Sequence, residues 1–420
     1  MTTPSHKPIK RSQAWTRRLN AAHQHIRAYA IPLLMGILVG LTFYATNPEL
    51  YTKIVASPCF GLDMFSSFIP CPSLVRLVND GLMTLFFALA MTHIVRTLQA
   101  FESVRSIAWH TFNPLLAMLA GVVVPTLFFL FFTMLWGTPA MMKGFGIVTA
   151  TDITVAWLIL RIALGNHHPA ISFLLLLALG DDIFGMLIIA FFYSHAHTLN
   201  VPALLLIVLA LLWSVWGRRL FPQHPFIVFG SAGLLSWLGL YWAELHPALA
   251  LVPLVPFLGR TTHAPADTPL SNSALEDAEQ QQPADCHRPP LHRFEEAISP
   301  WVDYGLFFFG FANAGVPLST PGTLTWIIFF SLFLGKTLGI YTTMRLTEKL
   351  HFLRAVGFNR YAQLLTAMSA SVGLTVSLFM ADAAFPPGTL QNDAKLGSLL
   401  TLLIGFPVIL LARLFKPTKT

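Results

Sequence analysis

The chain has 420 residues, of which 55% are hydrophobic and 11% are charged, and its formal net charge is +7. Soluble domains carry charge on about 25% of their residues, so this composition excludes an ordinary water-soluble fold. The basic residues stand between apolar segments, where they orient membrane proteins, so the positive charge does not indicate nucleic-acid binding.

The apolar segments predict an all-α polytopic membrane protein. Several of them reach the roughly 18 residues that mark a transmembrane helix. Because unpaired backbone groups are costly in lipid, repeated spans of this kind must be helices. The pattern indicates about twelve spans. They run over 29–46, 79–98, 112–135, 145–163, 170–194, 201–217, 225–241, 244–259, 300–316, 323–345, 361–385 and 395–414.

Polar segments divide the chain into parts. We expect a basic cytoplasmic tail at 1–28, eight spans within 29–259, a flexible cytoplasmic linker at 260–298, four spans within 299–415 and a short tail at 416–420. With this count and a cytoplasmic N-terminus, most Lys and Arg residues face the cytoplasm, which places both termini there. The outer loop at 47–75 holds Cys59 and Cys71, a candidate disulfide if the loop faces an oxidising compartment.

Two adjacent carboxylates lie within the fifth predicted span. Asp181 and Asp182 follow an entirely apolar run, which puts them near the bilayer midplane. Each charge at this depth costs about 2.5–3.5 kcal/mol on insertion scales, so such residues are functional by default. Carboxylate oxygens can hold either protons or a hard cation. The alternative is a structural ion pair buried in the helix bundle.

A lysine and a fourth-span aspartate extend this group. Lys336 lies inside the tenth span, too far from its inner end for its side chain to reach water, so we expect a pair with Asp181 or Asp182. Asp152 follows Thr151 in a polar stretch of the fourth span, and a similar stretch at 369–375 interrupts the eleventh. Interrupted helices at matching places in an inverted repeat indicate a transport site, although small residues also favour close helix packing.

The ordered motifs resemble those of the NhaA family of Na+/H+ antiporters. The resemblance covers the chain from about residue 79 to its end. It includes Asn79-Asp80-Gly81-Leu82-Met83, Ala150-Thr151-Asp152-Ile153, Asp181-Asp182, Phe311-Ala312-Asn313-Ala314-Gly315-Val316, Gly335-Lys336 and Gly373-Leu374-Thr375.

The resemblance implies roles for these residues. Asp182 is the central carrier of cation and proton, and it coordinates the transported Na+ with help from Asp152 or Thr151. Asp181 is also functional and can pair with Lys336. Asp152, beside Thr151, offsets the positive ends of two unwound helices, while Lys336 offsets the negative ends. It further implies Na+ or Li+ exchange for protons, no cofactor and no enzymatic activity. The expected location is the bacterial inner membrane, in a homodimer surrounded by lipid.

Three positions depart from the family pattern. The acidic residues expected at the inner end of the second span are absent, and His93 lies there instead. Histidine titrates near neutral pH, so His93 is a candidate pH sensor, although a histidine at an exposed helix end is often inert. Asp303 and Asp382 stand where neutral residues are expected.

Three other functions compete with antiport. Leu179-Gly180-Asp181 and Pro247-Ala248-Leu249 partly match an intramembrane aspartyl protease, but Ala178 replaces the first glycine of its motif. A sodium-coupled organic-anion symporter of similar fold would not need adjacent carboxylates beside a buried lysine. A non-transporting sensor is the third alternative.

Overall fold

The computed structural model describes residues 30–58, 73–99, 104–166, 168–193, 201–220, 225–258, 290–318, 321–349 and 358–414. Within these ranges the chain is helical and forms no β-strand beyond one isolated bridge between Pro58 and Ser73. The tail at 1–28, Cys59, Cys71, most of the linker and the tail at 416–420 lie outside the described residues.

The helices carry labels in chain order. They are α1 (Ile31–Thr46), α2 (Pro48–Ala56), α3 (Leu74–Gln99), α4 (Val104–Trp136), α5 (Ile153–Leu164), α6 (Pro169–Phe192), α7 (Val201–Leu220), α8 (Pro225–Trp242), α9 (Pro290–Ala314), α10 (Thr323–Lys349), α11 (Arg360–Ala370), α12 (Thr375–Ala384) and α13 (Thr389–Leu414). A 3₁₀ helix at Pro139–Thr149 precedes α5.

Six helical stretches in the described residues are long and apolar enough to cross a membrane. They are α3, the part of α4 from Asn113 to Trp136, α6, α10, the pair α11–α12 and α13. The 3₁₀ helix and α5 meet at a bend of 56° and together form a seventh candidate, while α1 and parts of α7 and α8 are shorter apolar helices. The fold is therefore that of a multi-pass helical membrane protein.

The eighth predicted span, 244–259, differs from its expected form. Its described residues contain two short 3₁₀ turns, Pro247–Leu249 and Val255–Leu258, and no α-helix. Proline lacks a backbone N–H and disfavours helix in the residue before it. Pro247, Pro253 and Pro256 recur too closely for a helix to propagate.

The last part of the predicted linker is helical in the structure. Residues 290–298 form the first turns of α9, which continues into the ninth predicted span. Leu291, Phe294 and Ile298 are buried against neighbouring helices. Their spacing of three and four residues gives this segment an apolar helical face, which explains why it is helical.

Helices α1 and α9 pack closely through small residues. A Cβ at Gly36 would lie 2.1 Å from the carbonyl oxygen of Phe307, so the backbones touch where Gly36 has no side chain. Lipid offers no hydrophobic driving force for helix association, so such close packing is a main source of stability.

The pair α11–α12 lies at the centre of the bundle. In its most apolar window 94% of the residues are buried, against 33% for the corresponding window of α4. The backbone between the two helices is irregular at residues 371–374. Non-helical backbone is tolerated at membrane depth only where protein or an aqueous cavity surrounds it, and this burial meets that requirement.

Candidate functional site

Two irregular backbone segments cross in the core. One joins the 3₁₀ helix to α5 at residues 150–152, and the other joins α11 to α12 at residues 371–374. The Asp152 amide donates a 2.8 Å hydrogen bond to the carbonyl oxygen of Val372, and the Ser377 hydroxyl donates one of 2.9 Å to that of Ile147. The crossing is thus held by one backbone hydrogen bond between the two segments and by one side-chain hydrogen bond between the helices next to them.

Asp152 caps both helices that start at the crossing. Its Oδ1 accepts hydrogen bonds from the amides of Thr154 and Val155 at 3.1 Å, at the start of α5. Its Oδ2 accepts one of 3.2 Å from the Thr375 amide, at the start of α12. A carboxylate between two helix N-termini balances the positive ends of both.

Lys336 lies at the C-terminal end of a helix, whereas Asp152 lies at two helix N-termini. Its Nζ is 2.6 Å from the carbonyl oxygen of Thr149, the last residue of the 3₁₀ helix, and 2.8 Å from Oδ2 of Asp181. Both charged side chains are fully buried. The ammonium therefore satisfies an unpaired carbonyl and balances a carboxylate at once.

The segment that carries Lys336 has an unusual winding. Residues Ser331–Lys336 form π-helical turns within α10. Such turns are rare and frequently occur at functional sites. The sequence of this segment does not indicate the feature, because the wider winding depends on packing against neighbouring helices.

Thr151 links the crossing to the carboxylate pair. Its hydroxyl oxygen lies 2.6 Å from Oδ2 of Asp181 and 2.9 Å from the carbonyl oxygen of Ala370 at the end of α11. Its single proton can be donated to either acceptor. Thr151 therefore joins α11 to the Asp181–Lys336 pair.

The two adjacent carboxylates have different surroundings. Asp181 Oδ2 is occupied by Lys336 and Thr151, whereas its Oδ1 is buried and has no hydrogen-bond partner among the described residues. Asp182 is 3% exposed, and no described residue donates a hydrogen bond to its carboxylate. Asp181, Asp152 and Lys336 are close enough to act on it electrostatically.

Buried carboxylate oxygens of this kind need a partner, because an unpaired charge in a low dielectric is costly. The partner can be a bound proton or a cation. In the described part of the chain, no group of three or more His, Cys, Asp or Glu residues could hold a metal ion. Asp182 and Oδ1 of Asp181 are thus the carboxylate groups of the crossing that have no hydrogen-bond donor among the described residues.

Position 373 requires a glycine, because the two crossing segments approach each other closely there. A Cβ there would lie 2.8 Å from the Ala150 carbonyl oxygen and 2.7 Å from the Ser377 hydroxyl oxygen.

We expect Gly373→Ala to destabilise the protein by about 1–3 kcal/mol, the usual cost of overpacking. Thermal unfolding in detergent measures this. Gly81→Ala is the matched control, since a Cβ at Gly81 meets no atom within 4 Å; equal melting temperatures for both variants would contradict the expectation.

His93 lies in a separate cluster near the C-terminal end of α3 and the N-terminal end of α9. Its Nε2 is 3.3 Å from Glu295, and Arg96 contacts the same carboxylate at 2.5 Å. Burial alone would raise the pKa of Glu295, but the hydrogen bond from His93 and the charge of Arg96 lower it to about 2. Sequence reasoning did not identify Glu295, because it fell within the predicted linker.

The remaining membrane aspartates lie in other surroundings. Asp303 accepts a 3.4 Å hydrogen bond from Ser299 on its own helix. Asp382 forms an ion pair with Lys395 at 3.2 Å. Within the described part of the chain, the structure gathers five of the predicted residues into one site, namely Thr151, Asp152, Asp181, Asp182 and Lys336.

Comparison with known proteins gives one consistent result. A family model described as Na+/H+ antiporter 1 matches residues 21–411. The chain is 38% identical over 397 residues to the Na+/H+ antiporter NhaA 2 of Pelobacter propionicus, covering 94% of this chain and 98% of the relative. It is 39% identical over 381 residues to the antiporter NhaA of Geobacter metallireducens, covering 90% and 93%.

Proposed function

Because this chain belongs to the NhaA family of Na+/H+ antiporters, which are transporters and not enzymes, we propose that it exchanges Na+ or Li+ for protons by alternating access. The proposed binding site is the carboxylate pair at the helix crossing. The observation that carries this proposal is that Asp182 and Oδ1 of Asp181 are buried without hydrogen-bond donors from described residues.

In the proposed cycle, cation and protons compete for the same carboxylate oxygens. At the face with few protons, Asp182 loses its proton and coordinates a dehydrated cation. At the other face protons displace the cation. The two fluxes are coupled because both ligands cannot occupy Asp182 together. If more than one proton moves per cation, the membrane potential contributes about 2.3 kcal/mol per charge per 100 mV.

The neighbouring residues have supporting roles in this proposal. Asp152 has both oxygens engaged in helix capping. We therefore assign it mainly to charge balance, with a contribution to cation binding that depends on release from these caps. Thr151 supplies a hydroxyl oxygen, and Lys336 holds Asp181 when no proton or cation does.

The wider architecture is proposed on the same basis. It comprises about twelve spans, with inverted repeats and interrupted fourth and eleventh helices, in a homodimer of the bacterial inner membrane with cytoplasmic termini. The support is the contact of two irregular segments, at 150–152 and 371–374, through the backbone hydrogen bond from Asp152 to Val372. Labelling of single cysteines from each side of the membrane tests the orientation.

The competing functions find less support. An aspartyl protease needs two carboxylates that share a catalytic water, yet Asp181 is paired with Lys336 and both oxygens of Asp152 cap helices. No contact in the described residues specifically favours an organic-anion symporter. Antiport remains the function that explains the adjacent carboxylates and the buried lysine together.

The test is proton exchange in inverted membrane vesicles, followed with a pH-sensitive dye. Addition of Na+ or Li+ should release protons from vesicles with the protein and not from vesicles without it. An organic anion should not be needed. A well-inserted protein with no cation response from about pH 6 to 9 would exclude antiport and favour the symporter or sensor.

The His93 cluster leads to a prediction about pH dependence. The low pKa of Glu295, about 2, keeps its carboxylate ionised throughout the neutral range, so the cluster holds a fixed negative charge 3.3 Å from Nε2 of His93. We propose that His93 senses cytoplasmic pH, and we expect His93→Gln to shift the pH of half-maximal exchange by up to about one unit. His292→Gln is the control, because it removes a different histidine–carboxylate pair on α9, the one with Glu296. Identical pH profiles would mean that His93 is inert.

A further inference from the structure

A second polar network lies at the other end of α12, outside the site described above. The Asp382 carboxylate forms the ion pair with Lys395 and accepts hydrogen bonds from Gln391 at 3.1 Å and from Asn79 at 2.8 Å. Asn79 and Asn313 exchange further hydrogen bonds, of 2.9 and 3.3 Å. One carboxylate thus ties α12 to α13 and α3, and through Asn79 to α9.

Helix α12 is therefore fixed at both ends. Its first residue, Thr375, bonds to Asp152, and Ser377 bonds to the 3₁₀ helix. Asp382 lies seven residues beyond Thr375, or about 10 Å along the helix axis. A short helix is a rigid element, so a displacement of its outer end is transmitted to its N-terminus.

The sequence singled out Asp382, and the proposed cycle does not use it. Its lysine partner is largely buried, with 8% of the Lys395 side chain exposed against 29% for Asp382. Removal of one partner of such a pair leaves the other charge without compensation. The outer end of α12 would then lose its ion pair to α13 and the charge that attracts the Asn79 and Gln391 amides.

We propose that Asp382, paired with Lys395, is a positioning residue for the transport site, which holds the N-terminus of α12 on Asp152 and thereby sets the affinity for the cation. This inference rests on the proposed function. Asp382 touches neither cation nor proton at the crossing. It acts through the helix that it anchors, so it should alter the cation concentration at half-maximal rate more than the maximal rate.

The experiment is a double-mutant cycle of Asp382→Asn and Lys395→Met in inverted vesicles. Each single variant should raise the Na+ concentration for half-maximal exchange by about 2- to 30-fold, the range typical of residues that act through coupling. The double variant should be no worse than the single ones, because both changes break one interaction. Asp393→Asn is the matched control. That carboxylate also lies on α13, but it accepts from the Gly322 amide near the start of α10.

Hydrogen exchange of residues 375–384 is the second readout, and it does not depend on transport. Faster exchange in Asp382→Asn, and not in Asp393→Asn, is the expected result. If the wild-type protein exchanges Na+ and Asp382→Asn leaves the cation affinity unchanged, this inference is wrong and the proposed function stands. A wild-type protein that exchanges no cation would overturn the proposed function, and the hydrogen exchange would then decide whether Asp382 anchors α12.

Discussion

Asn in place of Asp182 is expected to abolish cation-driven proton release. The substitution keeps the shape of the side chain and removes its charge, so both the cation and the exchangeable proton lose their ligand. A unit charge about 4 Å from a cation is worth about 4 kcal/mol at an effective dielectric constant of about 20. That energy corresponds to a loss of affinity of roughly 1000-fold. The dye assay with increasing Na+ or Li+ measures this directly.

Asp303→Asn is the matched control for this experiment. It also removes a membrane carboxylate, but Asp303 lies on α9, where it accepts a 3.4 Å hydrogen bond from Ser299 of the same helix. We expect the control to retain exchange, while both variants insert in similar amounts. Robust Na+-dependent exchange in Asp182→Asn would remove Asp182 from the mechanism and move the site to other groups of the crossing.

Lys336→Met should lower the stability of the protein more than Gly373→Ala does. The ammonium and Asp181 are both fully buried, and the ammonium also satisfies the Thr149 carbonyl. Breaking a buried pair by removing one partner typically costs about 3–5 kcal/mol, because the remaining charge is uncompensated. The expected result is a clearly lower melting temperature in detergent, with Met filling much of the space of the lysine side chain.

The companion variant separates charge from packing. In Lys336→Met/Asp181→Asn the uncompensated carboxylate is also removed, so a large part of the lost stability should return. If the single variant melts like the wild type, Asp181 is already uncharged or finds another partner, and the pair does not stabilise the fold. If the double variant melts no higher than the single one, packing of the lysine side chain decides the stability.

The residues that depart from the family pattern, His93 and Asp382, show which contacts cannot be predicted from the sequence. His93 was singled out by its position at a helix end, but its partner Glu295 was assigned to a flexible linker. The amphipathic spacing of Leu291, Phe294 and Ile298 could have indicated a helix there. Asp382 was noticed as an unexpected charge, yet nothing in the sequence around it indicated Asn79, which lies about 300 positions away in the chain.

The sequence by itself determined the class of this protein and the residues to examine. Apolar runs of spanning length and scarce charge require membrane helices, because lipid offers the backbone no other partner. The cost of charge in lipid drew attention to Asp152, Asp181, Asp182 and Lys336. Ordered motifs identified the NhaA family, to which the chain belongs.

Only the tertiary structure decided how those charges are balanced. Asp152 is occupied by amides from two helix starts that are more than 200 residues apart in the chain. Lys336 divides its ammonium between Thr149 and Asp181, which leaves Asp182 without a hydrogen-bond donor in the described part of the protein. The physical reason is that local sequence sets helix formation and membrane depth, whereas the partner of a buried charge depends on which distant backbone ends the packing of helices brings within hydrogen-bonding distance.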